Sequence, residues 1–154
     1  MIVEASIYID APRDDVFDIL TEYGSDVRVR VVPHLKAQSI LHREDNVFLC
    51  ENEWERDGKQ IRQHRRYTIF PPDRIEEEVV GANEGMTHVT TRLDPDGDGT
   101  RLTMESEYVL TGALRLLGKL AANQLHQSDE TLLEELRTRI EAEFEEVVDD
   151  VGES

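Results

Sequence analysis

Between Phe48 and Tyr108, polar and aromatic side chains recur at every second position, a spacing that collects them on one side of an extended chain. Phe48, Cys50, Asn52 and Trp54 share a side in the first such run. Ile61, Gln63, Arg65, Tyr67 and Ile69 follow in the second, and Leu102, Met104, Ser106 and Tyr108 in the last. Across the turn at Pro71-Pro72, Glu77 is predicted opposite Tyr67, with Arg65 diagonal to it. An Arg65–Glu77 pair would either hold a ligand's polar end or neutralise itself. Because a desolvated carboxyl has its pKa raised toward neutrality, Arg65, Glu77 and Tyr108 are the candidates for catalysis, with Tyr67 the other tyrosine within reach. The bland alternative is that all these side chains fill a core, their polar atoms satisfied at its edge. Four inward polar groups, Asn52, Gln63, Arg65 and Glu77, are more than a core face ordinarily tolerates.

Other chemistries find less support. None of the five histidines, His34, His42, His64, His88 and His126, stands at the short spacing that puts two imidazoles on one face, so no metal site is expected. No serine lies in a Gly-x-Ser-x-Gly turn, Cys50 has no histidine beside it, and no cofactor fingerprint is present. Asp94, Asp96, Asp98, Gly99 and Glu105 satisfy the calcium-loop pattern of an EF-hand, but the residues on both sides alternate as strands. A hairpin turn is the expectation there.

The elements that must carry these residues follow from periodicity. Val3, Ala5, Ile7 and Ile9 alternate with polar residues as in a half-buried strand. Pro12, Asp14 and Asp15 then open a short helix with Val16, Phe17 and Leu20 on one face. Val27 to Val32 reads locally as a strand, although a short helix or an irregular link would suit a domain of this kind, and both stay open. From residue 35 to 109 five or six further antiparallel strands are predicted, punctuated by Arg56-Asp57-Gly58, Pro71-Pro72, Gly81 to Gly85 and Asp94 to Gly99. The period then changes: Leu114, Leu117, Ala121, Leu125, Leu132, Leu136, Ile140 and Phe144 mark a helix of roughly 30 residues, about 45 Å long. Ser128 and Asp129 could cap a second helix if this one breaks. Residues 149 to 154 read as a disordered acidic tail, and residues 1 to 148 as one α+β domain.

Composition bounds the partners. The 154 residues carry 34 acidic against 17 basic side chains, a formal charge of -17. That disfavours nucleic acid, which needs clustered Lys and Arg to release counterions. Only three lysines are present, Lys36, Lys59 and Lys119, and the dispersed carboxylates resemble those of proteins from salt-loving microbes. No run reaches the ~20 apolar residues of a membrane span, and one cysteine cannot make an internal disulfide. A cytoplasmic protein is the expectation. Oligomeric state is left open.

The strand Val3 to Ile9 running into Ala11-Pro12 and Val16-Phe17, Pro33-His34-Leu35 before the second strand, Pro71-Pro72, the Asp94 to Arg101 hairpin and Gly112 before the last helix together resemble the START-related, pollen-allergen-like helix-grip proteins, also called SRPBCC or polyketide cyclase/dehydrase-like. The resemblance covers nearly the whole chain and rests mainly on the order of elements. It implies a curved antiparallel sheet of six to seven strands wrapped around the long C-terminal helix, with a cavity for a lipid, quinone, polyketide or other apolar ligand. Combined with side-chain parity, it makes Phe48, Cys50, Asn52, Trp54, Gln63, Arg65, Tyr67, Glu77, Met104 and Tyr108 the expected wall, closed by Leu117, Ala121 and Leu125 of the helix. The first functional expectation is a binder or carrier of a small hydrophobic molecule. A cyclase- or dehydrase-type enzyme in the same cavity is the alternative, and a protein-interaction module with no ligand is the third.

Overall fold

Alternating burial along residues 2 to 9 is that of a strand with one face on a core: Val3, Ala5, Ile7 and Ile9 are buried and their neighbours exposed. In the computed structural model, which describes residues 1–152, this strand β1 (Ile2–Ile9) is followed by α1 (Arg13–Leu20) and α2 (Asp26–Val31). The chain then makes six antiparallel strands, β2 (Leu35–Glu44), β3 (Val47–Arg56), β4 (Lys59–Phe70), β5 (Arg74–Val79), β6 (Gly85–Asp96) and β7 (Gly99–Val109). It ends in α3 (Ala113–Leu116) and the 34-residue α4 (Lys119–Gly152). The seven strands form one sheet in the order β1-β7-β6-β5-β4-β3-β2. Since β1 and β2 lie at opposite edges, α1 and α2 must carry the chain across the sheet between them. α4 packs against β1, α1 and α2.

Tight turns fix the registers. Asp57 and Gly58 both have positive φ, 53° and 76°, the primed-turn geometry whose twist matches an antiparallel pair. Gly97, at φ 58°, starts the two-residue turn between β6 and β7, so the acidic run of residues 94 to 105 belongs to a strand hairpin rather than to a loop between helices. β2 carries two register shifts and β6 one, irregularities that add bend and twist to a sheet. The core between sheet and helices contains Ile9, Val16, Val31, Leu93, Leu102, Leu133 and Ile140, all essentially without exposure.

Three points are decided at the helices. The Val-Arg run of residues 27 to 31 is a helix, α2, despite its strand-like alternation. In a helix Arg28 and Val31 lie three apart on one face, and both are buried, so tertiary contacts override the β preference of the valines. α4 does not break at Ser128. The interruption falls at Gly118, φ 44°, which separates α3 from α4. At the other end α4 continues through Gly152, past the boundary at 148 beyond which the sequence predicts a disordered tail; Glu153 and Ser154 lie outside the described residues.

Candidate functional site: a cavity between sheet and helix

Parity places the middle strands as predicted: Phe48, Cys50 and Asn52 of β3 are buried, as are Arg65 and Tyr67 of β4 and Leu102, Met104 and Ser106 of β7. Between this wall and α4 lies a cavity of about 480 Å³. That is within the roughly 300–1,000 Å³ of small-molecule pockets. Of the predicted site residues, Trp54, Gln63, Arg65, Tyr67, Glu77, Met104 and Tyr108 line it. Phe48, Cys50 and Asn52 lie behind the lining, within the core. Phe48 packs on Tyr23 with ring centroids 4.9 Å apart. Burial pushes the Cys50 thiol up to about 11, which leaves it a poor nucleophile.

The helix contributes different residues from those expected. Leu117 is exposed, and neither Ala121 nor Leu125 reaches the cavity. Ser128, Asp129, Leu132 and Leu136, further along the helix, take their place. All ten residues from Thr111 to Leu120 are exposed, Leu116 at 88%. This part of the amphipathic pattern therefore precedes the stretch that packs.

Three polar groupings punctuate the wall. Tyr67 stands opposite Glu77 in the β4–β5 register, and the Arg65 guanidinium bonds the Glu77 carboxylate, so that pair is closed. Gln63 Oε1 accepts from Arg65 Nε and Nη2 at 3.1 and 3.0 Å, and the guanidinium lies 4.4 Å from the centre of the Trp54 ring. Trp54 Nε1 is itself buried without a partner among the described residues.

The second grouping joins β7 to α4. Tyr108 Oη donates to Asp129 Oδ1 at 2.9 Å. Asp129, far from capping a helix, is 4% exposed in the middle of one, and its Oδ2 has no partner among the described residues. Burial raises its carboxyl above the ordinary value, opposed by the hydroxyls of Tyr108 and Ser106. Burial, followed by the Asp129 charge, also raises Tyr108.

The third grouping centres on Arg28 of α2, which the strand-like reading of that segment concealed. Arg28 Nη1 donates to the Leu20 carbonyl at 2.8 Å, Nε to Gln38 Oε1 at 3.3 Å and Nη2 to Tyr67 Oη at 3.3 Å. Asn52 joins the network, its Nδ2 donating to Tyr67 Oη at 2.8 Å while its Oδ1 accepts from Gln38 at 2.9 Å.

Solved structures share the fold. The Thermus thermophilus protein TTHA0849 superposes with a TM-score of 0.72 at 22% identity, over 92% of this chain and 98% of that one. The Zhui aromatase/cyclase of Streptomyces sp. R1128 gives 0.68 at 18% identity, over 96% and 95%. The chain has the helix-grip fold. A STAR-related lipid transfer protein from Xanthomonas axonopodis has the same helix-grip architecture, with a TM-score of 0.64 at 16% identity over 89% of this chain and 84% of that fragment. No family model matches the sequence, and no curated protein does. At these identities the likeness is one of fold, and the chemistry has to be argued from this helix-grip cavity itself. No helix among the described residues is long and apolar enough to cross a membrane.

Proposed function

We propose that the protein binds or carries a small, largely apolar molecule, of lipid, quinone or polyketide-like type, in the cavity between its sheet and α4. The observation that carries this reading is the cavity itself, which stays open at about 480 Å³ although Leu20, Ile75, Val89, Leu102, Met104 and Leu132 line it. Apolar wall supplies affinity and a few fixed polar groups supply orientation, which is the usual division of labour in such sites. Two structural neighbours, a STAR-related lipid transfer protein and an aromatase/cyclase, are consistent with an apolar cargo. Nucleic acid remains disfavoured by the charge of -17.

The test is native mass spectrometry of protein purified from its own host, combined with titration of a fluorescent apolar probe. A retained small molecule and saturable probe uptake are expected. Leu132→Trp, which fills the cavity, should abolish uptake while leaving the circular dichroism spectrum unchanged. Absence of uptake by the unaltered protein, or uptake undiminished in a folded Leu132→Trp variant, would remove the basis for this reading.

One observation favours a second reading, an enzyme of cyclase or dehydrase type. Asp129 offers a carboxyl that burial raises above its ordinary value, beside Tyr108 in the same cavity, the kind of group suited to proton transfer. For that reading Asp129→Asn should stop product formation and leave probe uptake intact. Glu77 suits the role less well, because Arg65 already occupies it.

A further inference from the structure

We propose that the cargo is an anionic amphiphile whose carboxylate is received by Arg28 and the Tyr67 hydroxyl, where α2 meets the sheet. This rests on the cavity reading above and narrows it to one ligand charge.

Arg28 is only 6% exposed and lines the cavity. A guanidinium withdrawn from water needs an opposite charge to recover its desolvation. Arg28 has none among the described residues: its three hydrogen bonds go to a carbonyl, an amide oxygen and a hydroxyl, all neutral. The carboxylates in the cavity wall are engaged elsewhere. Glu77 bonds Arg65, Asp129 accepts from Tyr108, and Glu84 accepts from Thr111. A guanidinium carries five N–H donors, so two remain unfilled after these three bonds.

The direction of the surrounding network adds a further donor. Arg28 can only donate, so Gln38 must present its oxygen there, where Gly24 N also donates at 3.0 Å. The Gln38 amide nitrogen is thereby turned to Asn52 Oδ1, and Asn52 in turn presents its nitrogen to Tyr67 Oη. Tyr67 Oη then accepts twice, from Arg28 and from Asn52, which uses both of its lone pairs. Its own hydrogen has to be given away, and no acceptor for it is found among the described residues. Burial and then the Glu77 charge push Tyr67 up to about 12, so the hydroxyl keeps that hydrogen at neutral pH.

Unfilled N–H and O–H donors therefore meet at one place with no acceptor between them. The ring centres of Tyr23 and Tyr67 lie 4.8 and 5.2 Å from the guanidinium carbon. A carboxylate supplies two acceptor oxygens in the fork geometry that Arg favours, together with the missing charge. An alcohol or ester of the same length would enter the apolar cavity but leave Arg28 uncompensated, and a cation would be repelled.

The experiment compares cis-parinaric acid, a fluorescent carboxylic acid, with its methyl ester at neutral pH. The acid should bind the unaltered protein about ten-fold or more tighter than the ester. Arg28→Gln should bring the two within about two-fold of each other by weakening the acid and sparing the ester. Because Arg28 also ties α1, β2 and β4 together, Tyr67→Phe provides a second variant that should narrow the same gap. Thermal melts establish that each is folded. Equal or tighter binding of the ester, or a preference for the acid that survives in both folded variants, would overturn the anion site while leaving the cavity reading intact. Uptake of neither probe by the unaltered protein would overturn both.

Discussion

Asp129 brings an unfilled carboxylate oxygen to a mostly apolar wall, and the burial that raises its pKa makes it a stability sensor. Between the ordinary value of 3.8 and its raised value, the folded protein holds a proton at Asp129 that the unfolded chain has released. Stability contributed by this group therefore falls as pH climbs through that interval and does not return above it. Asp129→Asn should be more stable than the parent near neutrality, with the difference vanishing in acid below the ordinary carboxyl range. Urea midpoints of the two proteins from acid to neutral pH measure this, and a difference independent of pH would contradict the desolvation of Asp129. Much at this scale was legible beforehand: the Tyr67–Glu77 pairing and the Arg65 contact followed from parity and one turn. Asp129 and Arg28 were missed for separate reasons. Ser128-Asp129 has the composition of a helix cap, and Arg28 stands in a run whose alternation imitates a strand, which hides its burial on a helix face.

At the scale of elements, the two halves of the C-terminal amphipathic pattern differ in what they hold. Leu133 is buried at 1% exposure, whereas Leu117 is 44% exposed. Leu133→Ala should cost about 2–5 kcal/mol in denaturant titrations, while Leu117→Ser should stay within about 0.5 kcal/mol of the parent. A large effect at Leu117 would mean that α3 packs on the sheet. The seam between β1 and β7 gives another test. A Cβ on Gly99 would collide with the Tyr8 ring and the Ile9 carbonyl oxygen, and the latter is backbone that cannot yield. Gly99→Ala should therefore lower stability by about 1–3 kcal/mol, and a neutral result would show that the strand can shift at that point. The strands were readable because burial of one sheet face imposes a period of two. Helical periodicity reports that a face is apolar without saying which part of it meets the cavity, so Leu117, Ala121 and Leu125 looked equivalent to Leu132 and Leu136. Gly118 was the available signal of a break.

For the molecule as a whole, 34 acidic against 17 basic residues leave repulsion that local pairs do not remove. Arg62 with Glu53, Arg66 with Glu78 and Arg92 with Glu105 are exposed cross-strand pairs, each worth only about 0–1 kcal/mol. Raising KCl from about 0.1 to 1 M shortens the screening length from roughly 10 to 3 Å. The melting temperature should rise over that range; a fall would mean that the surface pairs outweigh the net charge. One further feature bears on how cargo gets in. Arg30 holds Glu143 through two contacts of 2.7 and 3.1 Å, and Glu141 accepts from the Asp10 amide, so the distal half of α4 is clamped to α2 and the end of β1. Residues 113 to 120, just beyond the bond of Thr111 to Glu84, have no such hold among the described residues. A rod fixed at one end behaves as a cantilever, and amide hydrogens should exchange fastest before Gly118 and progressively more slowly toward Ile140. Cargo could then pass the free end by elastic flexing while the sheet stays intact.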